Sequence, residues 1–372
     1  FYLWHFGVVK QVDPEFQATF QWDLPLLEGY DYEFVDNVSP NPGTHHFWGL
    51  QNPTLVQQVQ SFKPDAVVLM SYNYASLYRF MLQWDNRKVP LLFRGDSHRL
   101  LPRKGFKEWL RQQWIAGIYR RFNAILYVGK ANFQYFTYHG VPSNQLFFSP
   151  HAVDNQRFID QTEEAQKQAE QLKVELGIPA EHRVILFAGK FTKKKRPWDL
   201  LNAFLQAKLE QVSLLLVGTG PLEVHLKTVA QPHHHIYFTP FQNQSMMPRT
   251  YAIGDVLVLP SYGSGETWGL AINEAMCLGK PIIVSDHVGC AQDLVQPGQN
   301  GLVFPAGDVS GLSTVLQEAF SDLPRLKAWG DRSREIIYRY SYTQATEGLE
   351  QTLDFLQKSG TGNREQGTVE KN

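Results

Sequence analysis

The chain has 372 residues, 43% hydrophobic and 19% charged, with a formal net charge of -1. This composition excludes global disorder and any overall charge drive toward nucleic acid or anionic lipid, and the length exceeds one comfortable hydrophobic core, so two domains are expected. No apolar run approaches the roughly 18 residues that span a bilayer, and no charged-then-apolar leader is found, so the chain reads as cytoplasmic.

Short apolar, β-branched or aromatic runs alternate with helical stretches, the pattern of parallel sheets flanked by helices. In chain order the first half offers FYLWHFGVV (1–9), YEFV (32–35), AVVLMSY (66–72), VPLLFRGD (89–96), AILYVGK (124–130) and QLFFSP (145–150). The second half offers RVILFAGKF (183–191), VSLLLVGTG (212–220), HIYFTPF (235–241), DVLVLPSY (255–262), PIIVSD (281–286) and GLVFP (301–305). Six candidates on each side predict an α/β protein of two doubly wound, Rossmann-like domains. The polar, Ala-rich helical stretch 160–179, ending in Gly177 and Pro179, sets the expected boundary. The domains then run 1–159 and 160–335, with a helix over 336–357 packing back on the first domain. The tail 358–372, whose only large apolar side chain is Val369, is expected to be disordered. The chain begins at Phe1, without methionine, directly in a strand-like run.

In open α/β sheets, ligands bind at the carboxyl ends of strands, and with two such domains the cleft between them is the natural site. The stretch GETWGLAINEAM (265–276) follows a strand and a Gly/Ser loop and reads as the start of a helix closed by Gly279. Glu266 is expected at the helix entrance and Glu274 two turns in. Eight helical residues rise about 12 Å, too far for two carboxylates working on one glycosidic bond. Between them the N–H groups of Thr267, Trp268, Gly269 and Leu270 would form an open first turn suited to a diphosphate. The competing reading makes Glu266 a dipole-complementing acid and Glu274 a solvated helix residue.

The stretch GKFTKKKRP (189–197) holds Lys190, Lys193, Lys194, Lys195 and Arg196. It is either a solvated charged face or, just after a strand, an anion site. In VGTGPLE (217–223) a dinucleotide fingerprint would need glycine where Glu223 stands, so Gly218 and Gly220 are assigned to a tight turn lining a nucleotide cleft. His233, His234 and His235 cannot all face one ion from a strand and read as a surface turn. Cys277 and Cys290 make neither a disulfide framework nor a zinc site and read as core thiols.

Glu, seven residues, Glu, with an aromatic-Gly-Leu after the first Glu, resembles the signature of glycosyltransferase family 4, the retaining enzymes of the GT-B fold. LFAGKFTKKKRPWDLLNAF, LLLVGTGPL and GQNGLVFPAGD follow the same family's order, and SPHAVDNQRF and VDPEF followed by QWDLPLLEGYDYEF are similar to it in the first half. The resemblance implies a nucleotide-sugar donor in the second domain and an acceptor in the first. It implies that Glu274 holds the donor ribose, the 267–270 backbone the diphosphate, and Glu266 a hydroxyl of the transferred sugar. Lys190 and Lys195 match the basic pair that neutralises the leaving diphosphate, with Lys at 190 where the family usually has Arg. With cations in that role, and no Asp-x-Asp motif, no metal and no cofactor are expected. Phe241 and Tyr251 fall where the base packs, or serve as structural aromatics. The family's first strand and Gly-rich acceptor loop are not found and should precede Phe1.

In the first half, PLLFRGDSHRLL (90–101) carries Asp96 and His98 at a strand end where family members place a His or an acid facing the transferred sugar. The sequence does not choose between them; a capping Asp and a loop His are the alternative. Residues 99–122 interleave Lys and Arg with Phe106, Trp109 and Trp114. They suit peripheral contact with the inner face of an anionic membrane, or a helix packing its aromatics on the sheet. One basic helix makes no nucleic-acid groove.

The expected function is retaining transfer of a hexose-type sugar from a nucleoside diphosphate to a hydroxyl of a glycan, a lipid-linked or a small-molecule acceptor. An epimerase-type enzyme on the same architecture and a non-catalytic nucleotide-sugar-binding subunit are the alternatives. In the family no carboxylate is the nucleophile and the departing phosphate takes the acceptor proton, so Glu266 is not assigned as one.

Overall fold

The structure, a computed structural model, describes residues 2–3, 11–13, 18–102 and 104–365. All six second-half runs form strands: β9 (Arg183–Ala188), β10 (Val212–Val217), β11 (Ile236–Thr239), β12 (Val256–Leu259), β13 (Ile282–Ser285) and β14 (Gly301–Phe304). They make one parallel sheet in the order β11-β10-β9-β12-β13-β14. Helices cover both faces, so these strands are near-continuous apolar runs. Alternation still sorts them. Val184, Leu186, Leu215, Val217 and Leu257 enter one core cluster, while Ile185, Phe187, Leu214, Leu216, Val256 and Val258 enter the other.

In the first half, β5 (Val67–Leu69), β6 (Leu91–Arg94), β7 (Ala124–Tyr127) and β8 (Leu146–Phe148) form a second parallel sheet in sequence order. Its core is Leu91, Phe93, Ile125, Phe80, Met81, Phe122 and Phe136. Of the first predicted strand, β1 (Tyr2–Leu3) is described and pairs in parallel with β4 (Glu33–Phe34); residue 1 and residues 4–10 lie outside the described residues. β2 (Gln11–Asp13) and β3 (Ala18–Phe20) pair antiparallel.

The chain crosses between sheets earlier than its composition suggests. Arg94, at the end of β6, donates from Nη2 to the carbonyls of Ser149 (3.2 Å) and Pro150 (2.9 Å), pinning the crossing. Beyond it Val153 and Phe158 already sit in the second domain's core. The stretch read as a boundary is a helix, Thr162–Glu175, whose Ala165, Ala169 and Leu172 are buried there. A polar composition hid a narrow stripe of small residues, which pack as well as large ones where two helices come close.

The last helix, Tyr342–Glu365, lies against the first domain's sheet. Ser149 Oγ donates to the Ala345 carbonyl at 3.0 Å, and the Phe147 and Phe355 rings stand 5.3 Å apart. A Cβ at Gly348 would fall 1.9 Å from the Phe148 carbonyl oxygen, so glycine sets this approach. The helix runs into the stretch expected to be disordered, because extending a nucleated helix adds one hydrogen bond per residue ordered; residues 366–372 lie outside the described residues.

Candidate functional site

The strand order fixes where the site forms. From β9 the chain steps outward to β10 and β11, then returns to place β12 on the other side of β9. The loops after β9 and β12 therefore stand side by side, at the point where open α/β sheets part to form a crevice. The first is the basic loop and the second carries Glu266.

They meet directly. Lys195 Nζ lies 2.5 Å from Glu266 Oε2, and Ser261 Oγ donates to that same oxygen at 2.9 Å. Glu266 is 7% exposed. The loops are also joined by their backbones, Tyr262 N donating to the Lys194 carbonyl at 2.8 Å. Arg196 takes the left-handed conformation at φ +54 as the loop enters the helix Pro197–Ala207, and its Nε donates to Asp199 at 2.7 Å. Lys190 is half-buried at the start of the loop.

The helix after Glu266 starts later than expected. It spans Leu270–Cys277, with Gly269 at φ +105 as its N-cap. Glu266, Thr267 and Trp268 are loop, so the 12 Å helical rise does not measure the separation of the two carboxylates. The loop is braced from β13's end: Gly289 N donates to the Glu266 carbonyl (3.0 Å) and Cys290 N to that of Trp268 (3.1 Å). A Cβ at Gly289 would stand 1.8 Å from the Thr267 carbonyl oxygen, so only glycine allows this brace. Leu270 is exposed at the helix N-terminus, where first-turn N–H groups lack intrahelical acceptors.

Glu274 is 8% exposed and not a solvated helix residue. Tyr251 OH donates to Oε2 at 2.6 Å and Gln244 Nε2 to Oε1 at 3.2 Å. Burial raises its carboxyl above the ordinary value, against the pull of those two donors. Tyr251 is fully buried, so of its two expected roles the structural one describes it. Gln244 is oriented in turn by Arg157, which donates to its carbonyl (3.0 Å) and to its Oε1 (2.9 Å). Sequence reasoning missed Gln244 and Arg157. Only Arg157, inside SPHAVDNQRF, carried a local signal.

From the first domain, Asp96 reaches across: Thr267 Oγ1 donates to its Oδ2 at 2.7 Å, and His151 Nε2 lies 3.5 Å from the same oxygen. Burial works to raise the Asp96 carboxyl, but hydrogen bonds from His151 and Thr267 outweigh it and hold the group at about 2. His98 accepts from Leu100 N at 3.3 Å through Nδ1, while its Nε2 is buried without a hydrogen-bond partner. Burial depresses its pKa. Both residues left open by the sequence therefore stand at the end of β6 toward the second domain, and Asp96 makes the direct contact.

Trp268 has its side chain in the seam between domains. Its Nε1 donates to Asn273 at 2.8 Å, its ring lies 5.6 Å from His151 and 6.0 Å from Tyr340, and it is 4% exposed. Gly218 and Gly220 follow β10 with φ +141 and +149; a Cβ on Gly218 would meet the Gly189 carbonyl oxygen at 2.0 Å, so the two loops can only approach through glycine. Phe241 is half-buried just beyond β11. His233, His234 and His235 are exposed before β11, and Cys277 and Cys290 are buried and unpaired. Among the described residues no three His, Cys, Asp or Glu could hold a metal ion together, and no helix is long and apolar enough to cross a membrane.

Residues 168–336 match the family model described as glycosyl transferases group 1. The chain is 30% identical over 183 residues to N-acetyl-alpha-D-glucosaminyl L-malate synthase of Bacillus anthracis, covering 49% of this chain and 47% of that protein. It is 24% identical over 303 residues to sulfoquinovosyl transferase SQD2 of Arabidopsis thaliana, covering 79% of this chain and 57% of that one. The chain thus spans about half the length of these curated relatives. Anabaena Alr3699/HepE, solved in complex with UDP, superposes with a TM-score of 0.68 at 19% identity, covering 87% of this chain and 86% of that one. A glycosyltransferase from Rickettsia africae gives 0.66 at 16% identity over 81% and 79%. At such identities the likeness bears on fold alone. The paired parallel-sheet domains have the GT-B fold, and the region that matches the glycosyl transferases group 1 model encloses both Glu266 and Glu274.

Proposed function

We propose that the protein is a retaining, metal-independent glycosyltransferase that moves a hexose-type sugar from a nucleoside diphosphate to an acceptor hydroxyl. The observation that carries the reading is the convergence, at one crevice, of Lys195, Glu266, the Leu270 helix N-terminus and the seated carboxylate of Glu274. In this reading the diphosphate lies at the helix N-terminus and competes with Glu266 for Lys195. Glu266 so released accepts from a hydroxyl of the transferred sugar, and Glu274 accepts from the ribose. Lys190 and Lys195 then offset the charge that grows on the departing diphosphate, the kind of preorganised electrostatic term that dominates many rate enhancements. The departing phosphate takes the acceptor proton, and Asp96 and His98 face the sugar from the acceptor side. The Anabaena neighbour's complexes with UDP and UDP-glucose support a nucleotide-sugar donor.

A thermal-shift screen of UDP, GDP and ADP, repeated with Glu274→Ala, tests the donor site. Stabilisation of the wild type by one of them, lost in the variant, is expected; no shift with any of the three would falsify the reading. The anomeric configuration of the product, read by NMR, tests retention, and release of free sugar isomers from donor alone would favour the epimerase.

For the acceptor we propose a lipid-linked or glycan hydroxyl, reached while the first domain lies on an anionic membrane. The helix Phe106–Tyr119 buries one face and exposes large apolar side chains on the opposite one. Glu108, Ile115, Ile118 and Tyr119 are buried against the domain. About 180° away, at 100° per residue, Phe106, Trp109, Leu110 and Trp114 are 71%, 52%, 48% and 54% exposed. These aromatics are therefore not packed on the sheet. Exposed Lys107 and Arg111 lie along the same helix, the latter paired with Glu108 at 3.6 Å, with Arg120 at its C-cap and Lys104 just before it. An apolar face edged by cations fits an acidic bilayer. Co-flotation with phosphatidylglycerol vesicles, reduced by salt and by Phe106→Ser with Trp109→Ser, is expected; equal recovery with phosphatidylcholine alone defeats the proposal.

A further inference from the structure

The segment that follows β3 reaches the second domain. Asn243 Nδ2 donates to the Gln21 carbonyl at 2.7 Å, Ser245 N donates to Asp23 Oδ1 at 3.1 Å, and the Ser245 hydroxyl donates to Asp23 Oδ2. Asp23 thus holds the turn 243–245 from the other side of the cleft. Between the two gripped residues stands Gln244, whose Nε2 donates to Glu274. Its amide can face only one way, because Arg157 supplies donors to its Oε1 and a reversed amide would set NH₂ against the guanidinium. Arg157 therefore decides which way the amide points, and the backbone position of residue 244 decides whether it reaches Glu274. Arg157 Nη1 holds the Gln244 carbonyl at 3.0 Å, and Asp23 and Asn243 fix the turn on either side of it.

We infer that Asp23 is a positioning residue for the donor site: its carboxylate, supplied by the first domain, holds the 243–245 turn so that Gln244 orients Glu274 for the ribose. The inference rests on the donor reading above. It makes nucleoside affinity depend on the closed arrangement of the two domains, without Asp23 touching the donor.

The test is titration calorimetry with UDP, uridine and inorganic diphosphate on wild type, Asp23→Ala, Asp23→Asn, Gln244→Ala and the Asp23→Ala/Gln244→Ala double variant. Asp23 is exposed, so water blunts its bonds. Asp23→Ala is expected to weaken UDP and uridine about fivefold each and inorganic diphosphate not at all. Asp23→Asn should restore most of the loss, since an amide oxygen still accepts from the Ser245 N–H. In the Gln244→Ala background Asp23→Ala should add less than a twofold change. Additive losses, or a loss shared equally by inorganic diphosphate, overturn the inference while leaving the donor reading intact. A wild type that none of UDP, GDP and ADP stabilises in the thermal-shift screen overturns both.

Discussion

Lys195 Nζ and Glu266 Oε2 face each other at 2.5 Å, with the Ser261 hydroxyl on the same carboxylate oxygen. The cation assigned to the diphosphate and the carboxylate assigned to the sugar are thus each other's partners. Neither is left as an uncompensated charge in a buried loop, which would cost several kcal/mol.

That pairing predicts opposite effects of its two members. Lys195→Ala should weaken a nucleoside diphosphate about tenfold or more and the nucleoside hardly at all. Glu266→Gln frees the lysine, so diphosphate affinity should hold or improve while transfer falls on the order of a hundredfold. Equal losses for diphosphate and nucleoside on Lys195→Ala would return the basic loop to a solvated surface.

Tyr251→Phe removes one of two donors to a carboxylate that is 8% exposed. A buried acceptor that loses its partner costs about 1–3 kcal/mol, so the urea midpoint should drop measurably. Burial already raises the Glu274 carboxyl, and losing the Tyr251 donor should raise it further. A midpoint equal to wild type would mean that Tyr251 supports Glu274 only by packing.

The Asp96 carboxyl sits at about 2, below its ordinary value of 3.8. A depressed acid stabilises the fold above its unfolded value, and that contribution disappears as pH falls from about 4 through 2. Its side chain is 40% exposed, so after allowance for solvent screening the expected contribution is about 1 kcal/mol. Asp96→Asn should therefore flatten the loss of stability between pH 4 and 2 in acid-unfolding curves. A slope unchanged from wild type there counts against the cross-cleft contact.

Gly129 opens the helix Lys130–Tyr138, and the backbone N–H of Lys130 donates to both oxygens of Asp293 at 3.1 and 3.0 Å. A Cβ at Gly129 would stand 2.5 Å from the Trp268 ring and 2.8 Å from Asp293 Oδ2. Gly129→Ala should cost about 1–3 kcal/mol and widen the seam, seen as a larger radius of gyration in small-angle scattering. Wild-type scattering and stability together would show that the seam yields without cost.

Much of the second domain was legible because its strands are buried on both faces, and a run such as VSLLLV declares that without knowledge of its neighbours. The first domain was less so: YEFV shrinks to Glu33–Phe34, and the helix expected over 160–179 forms as Thr162–Glu175, with its buried stripe mostly alanine.

The sequence by itself determined the order of strands and helices and the residue types from Glu266 to Glu274, since periodicity, glycine and the Glu spacing act within a few residues of each other. Only the tertiary structure decided who meets whom. Strand β12 returning beside β9 joined Lys195 to Glu266, and the crossing at Ser149–Pro150 brought Asp96 to Thr267, 171 positions away, and Asp23 to Ser245, 222 positions away. Such pairs are set by sheet order and domain closure, which depend on the whole chain's burial of apolar surface and leave no local trace in the residues they join.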